Sequence, residues 1–566
     1  TGRYEKALAT YEEAIALEPK EAEYHRSRAS VLRELGQLGE AAKGLEKAID
    51  LDGESSAAYH ELGTVLALQD RKDEALTAFR SALDLSQESG EIYYDYGRLC
   101  QGLGDHEEAV VALQRALKLQ SDWPAAHYHL GRSYQDQGDP LEAVRHYRWA
   151  SELAPQEPRY KRAIGVAYQQ LGEVDEAIAF LEEAVALDPQ DPSLRGELAD
   201  AFVSKGWLAE AIDEYERAAR LAPEDVDYPR RIGRAYRALG EYDRAVEALQ
   251  QAIAVSPDDP QAHHELGQTY RCVGRACEAV VEYQKAAELA ETLGDDRPVY
   301  HLHLAEALYE LGEAEKAAEA LSKAISLDPE DPQAHYRLGV IFEERGRYEE
   351  ALDEYREAAT IVPDRAVYHR QAGSVLCRLG RHEEAVETLQ KALGLEPDDP
   401  QIYLFLGRAC RALGRHDDAL AAYEVAIELS PDDGVYHRDL GLLFSELGDR
   451  AKAVESLQKA VSLDGTDVEA HGALGEIYEA EGRLREALAE YRRTFDSPSG
   501  GTRYRRKCGR VLRKLGNYGE AVKVLEEALA TIPGDAESHY ELGATLEAQE
   551  RYDEARSEYE EAAALD

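Results

Sequence analysis

The chain has 566 residues, with 112 Asp or Glu against 65 Lys or Arg and a net charge of −47 at neutral pH. That balance argues against broad electrostatic binding to nucleic acid or anionic membranes, and no apolar run reaches the roughly 18 residues of a membrane span. Six cysteines in a chain of this length make no disulfide framework, and CxxC pairs of zinc type are absent.

In chain order, residues Thr1 to Glu21 supply one helix, marked by Ala7, Tyr11, Ala14 and a stop at Pro19. Helix–turn–helix units then start at 22, 56, 90, 124, 158, 192, 226 and 260 and continue to the end. The clearest copy is Val367 to Pro400. Ala372, Gly373 and Leu376 share one face of a first helix, and Ala385, Leu389 and Ala392 share one face of a second. Gly380 suits the left-handed residue that ends the first helix, and the run Pro397 to Pro400 stops the second and starts the next. Aligned on Gly373, the small residues recur as Ala29, Gly63, Gly97, Gly131, Gly165, Ala199, Gly233, Gly267, Ala305, Gly339, Gly407, Gly441, Gly475, Gly509 and Gly543. Every step is 34 residues except one of 38. A fixed period of this length predicts a solenoid whose units bury their apolar faces by stacking.

The pattern resembles tetratricopeptide repeats (TPRs) over essentially the whole chain. In repeat 332–365 the family's small and large positions are matched by Leu338, Gly339, Ala351, Tyr355, Ala358 and Pro363, with His335 at the usual tryptophan. The resemblance implies an all-α, right-handed superhelical solenoid of antiparallel helix pairs. It implies protein–protein interaction through a concave groove as the activity.

A second period overlies the first. The large residue of the second helix alternates between aromatic and Leu, as in Tyr283, Leu321, Tyr355, Leu389, Tyr423 and Leu457. The third residue of the first helix is Tyr160, Tyr228, Tyr300, Tyr368, Tyr436 or Tyr504 in the Leu repeats and Ala126, Ala262, Ala334 or Ala470 in the Tyr repeats. Bulk added in one helix is removed from the other, as close packing requires. The expected unit is therefore a 68-residue pair.

Four extra residues at Glu291 to Pro298 predict a second helix about one turn longer. They suggest two arms, 1–297 and 298–566. Asp496 to Gly501, after Thr494, reads as a looser junction. Gly2 aligns with Gly380, so the chain is expected to start in mid-repeat and to be a window of a longer protein; neither end looks like a cap.

No nucleotide-binding, zinc-protease or serine-hydrolase motif is present, so no catalytic residue, metal or cofactor is expected. Histidines recur at position four of the first helix, counted from its first residue. Examples are His25, His127, His263, His301, His335, His369, His437, His471 and His539. Repeats sit roughly 10 Å apart, whereas zinc ligands lie within about 2.1 Å of one ion, so these are expected to pack in place of the family's aromatic residue. Cys100, Cys410 and Cys508 read as core residues, and Cys272 with Cys277 as a candidate regulated pair.

By the resemblance, positions five, nine and twelve of the first helix face the groove. There stand Arg230, Arg234 and Arg237, again Arg506, Arg510 and Arg513, and Arg370, Arg408 and Arg411. Arg26, Arg33, Arg98, Arg132, Arg162 and Arg438 are further single members. One reading is a basic inner groove that grips an acidic or phosphorylated segment through guanidinium forks. The other pairs these arginines with second-helix acids such as Glu349, Glu350, Glu383, Glu384, Glu526 and Glu527. The family's chaperone clamp and its sugar-transferase ladder both need asparagines, and Asn517, in a turn, is the sole one. The leading expectation is a scaffold for partner proteins or peptides. The sensor arm of a larger enzyme or signalling ATPase, and a self-associating filament or cell-surface fibre, are the alternatives.

Overall fold

The computed structural model describes residues 2–495 and 501–565. Among these are 33 helices and no strand. Each repeat is an antiparallel helix pair, and within each of the chain's two compact units each second helix packs on the first helix of the next repeat. The first helices of several successive repeats also touch, as Ala366–Arg378 touches Pro400–Ala412. This is an all-α solenoid.

In repeat 366–399 the helices are Ala366–Arg378 and His382–Leu395. Between them Gly380 adopts φ 73°. The same corner in two other repeats is held by Asp70 (φ 62°) and Glu550 (φ 60°). A Cβ disfavours that conformation by roughly 1–2 kcal/mol. Asp70→Gly and Glu550→Gly are therefore each expected to raise stability by about 1 kcal/mol. The check is a higher urea midpoint with an unchanged slope.

Packing explains the two-repeat period. A Cβ on Gly339 would lie 2.7 Å from Tyr355 Cε1, and one on Gly373 would lie 2.5 Å from Leu389 Cγ, so the first helix sits directly on the large residue of the second. In repeat 332–365 the Tyr336 ring, at position five, lies 5.8 Å from Tyr355 and 5.5 Å from Tyr368 of the next repeat. Tyr128 bridges Tyr147 and Tyr160 in the same way. Where position five is Gly196 or Gly472, the next repeat's Tyr228 or Tyr504 lies against it, 3.0 Å and 2.1 Å from where a Cβ would stand. The position-three tyrosine of the next repeat thus packs on position five whether that residue is a ring or a glycine.

The position-four side chain does more than pack. In eight repeats a His Nε2 lies 2.9–3.3 Å from the carbonyl oxygen six residues earlier, His335 on Pro329 and His471 on Gly465 among them. Arg195 reaches the equivalent Pro189 carbonyl from two nitrogens, at 2.9 and 3.1 Å. Nδ1 of His263, His335, His471 and His539 lies 2.6 Å from a carboxylate nineteen residues on, Glu282, Glu354, Glu490 and Glu558. The Arg195 guanidinium meets Glu214 at the same offset. This side chain thus ties the preceding loop to both helices of its repeat.

The chain divides into two compact units, Thr1–Gly294 and Asp295–Asp566. In the first, Ala276–Leu293 runs for 18 residues, whereas Tyr242–Val255 runs for 14. Gly2 opens the helix Gly2–Leu17 and is helical, not a turn residue as its alignment with Gly380 suggests. In the second unit, Leu484–Arg492 is only 9 residues long. Thr494 is buried there, and its hydroxyl donates to the Tyr491 carbonyl at 2.7 Å. The junction expected at 496–501 lies, up to residue 500, outside the described residues.

Candidate functional site

The first helices carry the arginines singled out in the sequence, and the structure gives each of the nine a polar partner on an adjoining first helix or on the cap residue that precedes it. At position five, Arg230 meets Asp259 at 3.2 Å, Arg370 meets Asp399, and Arg506 meets Asp535 at 3.0 Å. These three aspartates immediately precede the next first helix. Arg438 and Asp467 repeat the geometry at 3.1 Å. Arg230 also pairs with Asp227, and Arg506 with Glu537. At position nine, Arg234 Nε meets Glu265 at 3.1 Å, Arg408 meets Asp439, and Arg510 meets Glu479 at 2.9 Å. At position twelve, Arg237 donates to the Glu265 carbonyl at 3.0 Å, Arg411 lies 3.7 Å from Glu446, and Arg513 pairs with Glu541 at 2.8 Å.

The acids are therefore those of first helices and their caps. The second-helix acids look elsewhere: Glu350 pairs with Arg347, and Glu384 with Arg381 and Arg356. The reason is geometric. Position nine faces position six of the next first helix, so i and i+31 carry opposite charges in Asp200–Arg231, Glu306–Arg337, Arg408–Asp439 and Glu476–Lys507. This ladder of cross-repeat pairs was not read from the sequence. Scanning for opposite charges 31 apart would have found it.

Exposure separates the arginines. The position-nine side chains Arg234, Arg408 and Arg510 keep 50, 34 and 37 % of their surface, while Arg230 keeps 11 %. Burial pushes the Glu265 carboxyl above its usual range despite Arg234, Arg230 and Arg237 beside it. Burial would raise Glu479 too, but hydrogen bonds from Arg510 and Lys514 outweigh it and hold the carboxyl below the usual range.

The histidines split into two classes with opposite pH behaviour. The Glu354 hydrogen bond raises the His335 pKa against burial. Partial burial lowers His539, but Glu558 and the Pro533 carbonyl raise it more. By contrast, burial, aided by Arg98, Arg132 and Arg159, pushes His129 down to about 4. His146 is likewise lowered to about 4 by burial and by His127 and Arg145. A raised histidine stabilises below the unfolded value near 6.5, and that gain is lost as pH rises through the folded value. A lowered one stabilises above about 6.5, and that gain is lost as pH falls. Acidification from about pH 7.5 to 5 should therefore speed amide exchange in Pro124–Asp136 and Pro140–Leu153 and slow it in Pro332–Glu344 and Tyr348–Ile361. Hydrogen exchange at matched intrinsic rates reads this directly.

Among the described residues, no group of three or more His, Cys, Asp or Glu could hold a metal ion, and no helix is long and apolar enough to cross a membrane. All six cysteines are free thiols; Cys100, Cys410 and Cys508 are buried, and Cys272 and Cys277 are exposed. Burial raises the Cys508 thiol to about 12.

Comparison with known proteins places this geometry. The family model described as the Cilia and flagella-associated protein 70 C-terminal domain matches twice, over residues 91–302 and 302–505. Tetratricopeptide-repeat models match residues 1–56, 54–122 and 508–566. No curated protein matches the chain. Solved structures that do match include YrrB, described as a TPR protein with an unusual peptide-binding site, at 25% identity over 35% of this chain and 97% of that one, with a TM-score of 0.31. TTC0263, a thermophilic TPR protein of Thermus thermophilus, matches at 28% identity, over 32% of this chain and 99% of that one, with a TM-score of 0.30. MamA of Desulfovibrio magneticus RS-1 matches at 22% identity, over 30% and 97%, with a TM-score of 0.29. With family models matched from residue 1 to residue 566 on a ladder of 34-residue helix pairs, the chain belongs to the tetratricopeptide-repeat family.

Proposed function

We propose that the chain is a scaffold that holds an acidic or phosphorylated segment of a partner protein along the face of its first helices. The observation that carries this is the state of the position-nine arginines. Arg234 and Arg408 are each braced through Nε by an acid of the adjacent repeat. That fixes the guanidinium while leaving its outer nitrogens to a ligand, and a pre-oriented fork binds carboxylate or phosphate bidentately at low entropic cost. Arg510 is braced by Glu479 and remains 37 % exposed. The less exposed Arg230, Arg237, Arg370, Arg411, Arg506 and Arg513 serve in this reading mainly as braces between repeats, and only secondarily as ligand contacts.

The test uses the whole chain and a fluorescent peptide with phosphoserine and glutamate clusters. Arg234→Gln, Arg408→Gln and Arg510→Gln together are expected to weaken binding at least about tenfold, the effect of losing one charged hydrogen bond. An unchanged affinity in the triple variant, or equal binding of an uncharged peptide, would contradict the proposal. The urea midpoint of the same variant separates lost contact from lost fold.

A further inference from the structure

Repeat 56–89 departs from the others at three places, and each departure is toward hydrocarbon. Where the large residue of the second helix is a ring, it is tyrosine from Tyr11 to Tyr559, except at Phe79. The hydroxyls of Tyr147, Tyr355, Tyr491 and Tyr559 donate to Gln135, Glu343, Glu479 and Glu547, each twelve residues earlier, at 2.7–3.2 Å. Twelve residues before Phe79 stands Ala67. Hydroxyl and acceptor are lost together, so neither is left orphaned. The next residue, Leu68, is 60 % exposed, at a position that is charged, polar or small in every other repeat. With these changes comes a cleft of about 210 Å³ between Ser56–Leu68 and Gly90–Gly102, lined by Ala67, Leu68, Phe79 and Leu99 among others. It is smaller than the roughly 300–1,000 Å³ of small-molecule sites, and it suits a single side chain.

The polar lining groups are already engaged. Asp95 meets His60 Nε2 at 2.9 Å, the Thr64 hydroxyl donates to the His60 carbonyl at 3.0 Å, and Lys72 pairs with Asp70 at 3.2 Å. A hydrocarbon occupant asks nothing of them, whereas a polar tip would be desolvated without a partner. Arg98 is the exception. Its side chain is 53 % exposed and lies 3.6 Å from Asp95, so it can meet an anion from outside the cleft. Asp95 beside it favours the single charge of a carboxylate over the nearly double charge of a phosphate. Thr64 and Ala67 stand at positions nine and twelve, and Arg98 at nine, so the cleft opens on the same face as the groove arginines.

We propose that this cleft anchors a hydrocarbon side chain of the partner segment, and that Arg98 takes the carboxylate of an adjoining residue of that segment. The partner is thus an acidic segment with an embedded apolar residue. This rests on the reading that the first-helix face holds an acidic segment, and it adds the apolar anchor that charge alone does not supply. A few well-packed anchors carry most of the affinity of an interface.

The probe is a fluorescein-labelled peptide with one leucine flanked by glutamates, titrated into the whole chain and followed by anisotropy. Saturable binding is expected. It should weaken about tenfold or more when the leucine is replaced by glutamine, the effect of one buried aliphatic side chain. It should weaken as much in the double variant Ala67→Gln with Phe79→Tyr. That variant rebuilds the pair seen at Gln135 and Tyr147, so it is expected to fold. Leu68→Gln removes the exposed wall and is the second variant; it should weaken binding about threefold or more. No saturable binding to the native chain, equal binding of the glutamine-for-leucine peptide, or binding unchanged in a folded double variant would overturn the anchor. Arg98→Gln should weaken binding of the glutamate peptide and leave a peptide with glutamine in place of the glutamates unaffected. Equal binding of the glutamate and glutamine peptides would overturn the Arg98 pairing and the acidic reading with it, while the leucine comparison still decides the anchor. Concentration-dependent dimers abolished by the double variant would overturn the partner in favour of a second copy.

Discussion

Tyr355→Ala is expected to cost about 3–5 kcal/mol, the range for removing a large buried aromatic. Tyr355 is fully buried; its ring supports Gly339 and Tyr336, and its hydroxyl donates to Glu343 at 2.9 Å. Burial, reinforced by Glu343, pushes the phenol far above its usual pKa, so the hydroxyl stays a donor at any working pH. The surrounding helices cannot collapse into the void, because Tyr368 already occupies the far side of Tyr336. In a stack, stability is a sum of repeat and neighbour terms. The loss should therefore appear as an earlier local transition around repeat 332–365 and not as a uniform shift. Tyr355→Leu, which imports the large residue of the alternate repeats, is expected to cost less but still to destabilise, because the smaller side chain removes the ring on which Gly339 and Tyr336 rest and the hydroxyl that donates to Glu343. Equal stability of the leucine variant and the native chain would show that the Tyr and Leu repeats are interchangeable.

The second large effect comes from adding one carbon. A Cβ on Gly472 would lie 2.1 Å from Cζ and 2.2 Å from the hydroxyl of Tyr504. The ring has little room to retreat, being 6 % exposed and stacked 6.1 Å from Tyr491. Gly472→Ala is expected to cost about 1–3 kcal/mol, as overpacking does. Gly394→Ala is the control: it is also helical, but its Cβ would meet nothing within 4 Å. It should be neutral or stabilising by up to about 1 kcal/mol. Combining Gly472→Ala with Tyr504→Ala should cost less than the sum of the two, since the clash disappears with the ring. Denaturant midpoints of the three variants decide this; strict additivity would contradict the contact.

The repeat period, the corner at Gly380 and the exchange of bulk between Tyr368 and Ala334 were legible because each depends on residues at one fixed position of the unit. Sequence reading lost ground where two repeats meet. Arg408 and Asp439 are 31 apart, a distance that means nothing until the tilt between first helices brings positions nine and six together. For the same reason the alternative that pairs the arginines with second-helix acids fails: Glu350 and Glu384 meet Arg347, Arg356 and Arg381 instead. His335 was read as a packing residue. Its bond to the Pro329 carbonyl depends on the path of the loop, which residue types do not record.

Hydrogen exchange of the whole chain, with and without an acidic phosphopeptide, tests the scaffold reading most directly. The account predicts slowed exchange in the first helices that carry the braced position-nine arginines Arg234, Arg408 and Arg510, namely Asp227–Ala238, Pro400–Ala412 and Gly501–Lys514. It predicts little change in second helices such as Tyr242–Val255 and His416–Leu429. Protection centred on the second helices, or none at peptide saturation, would contradict it.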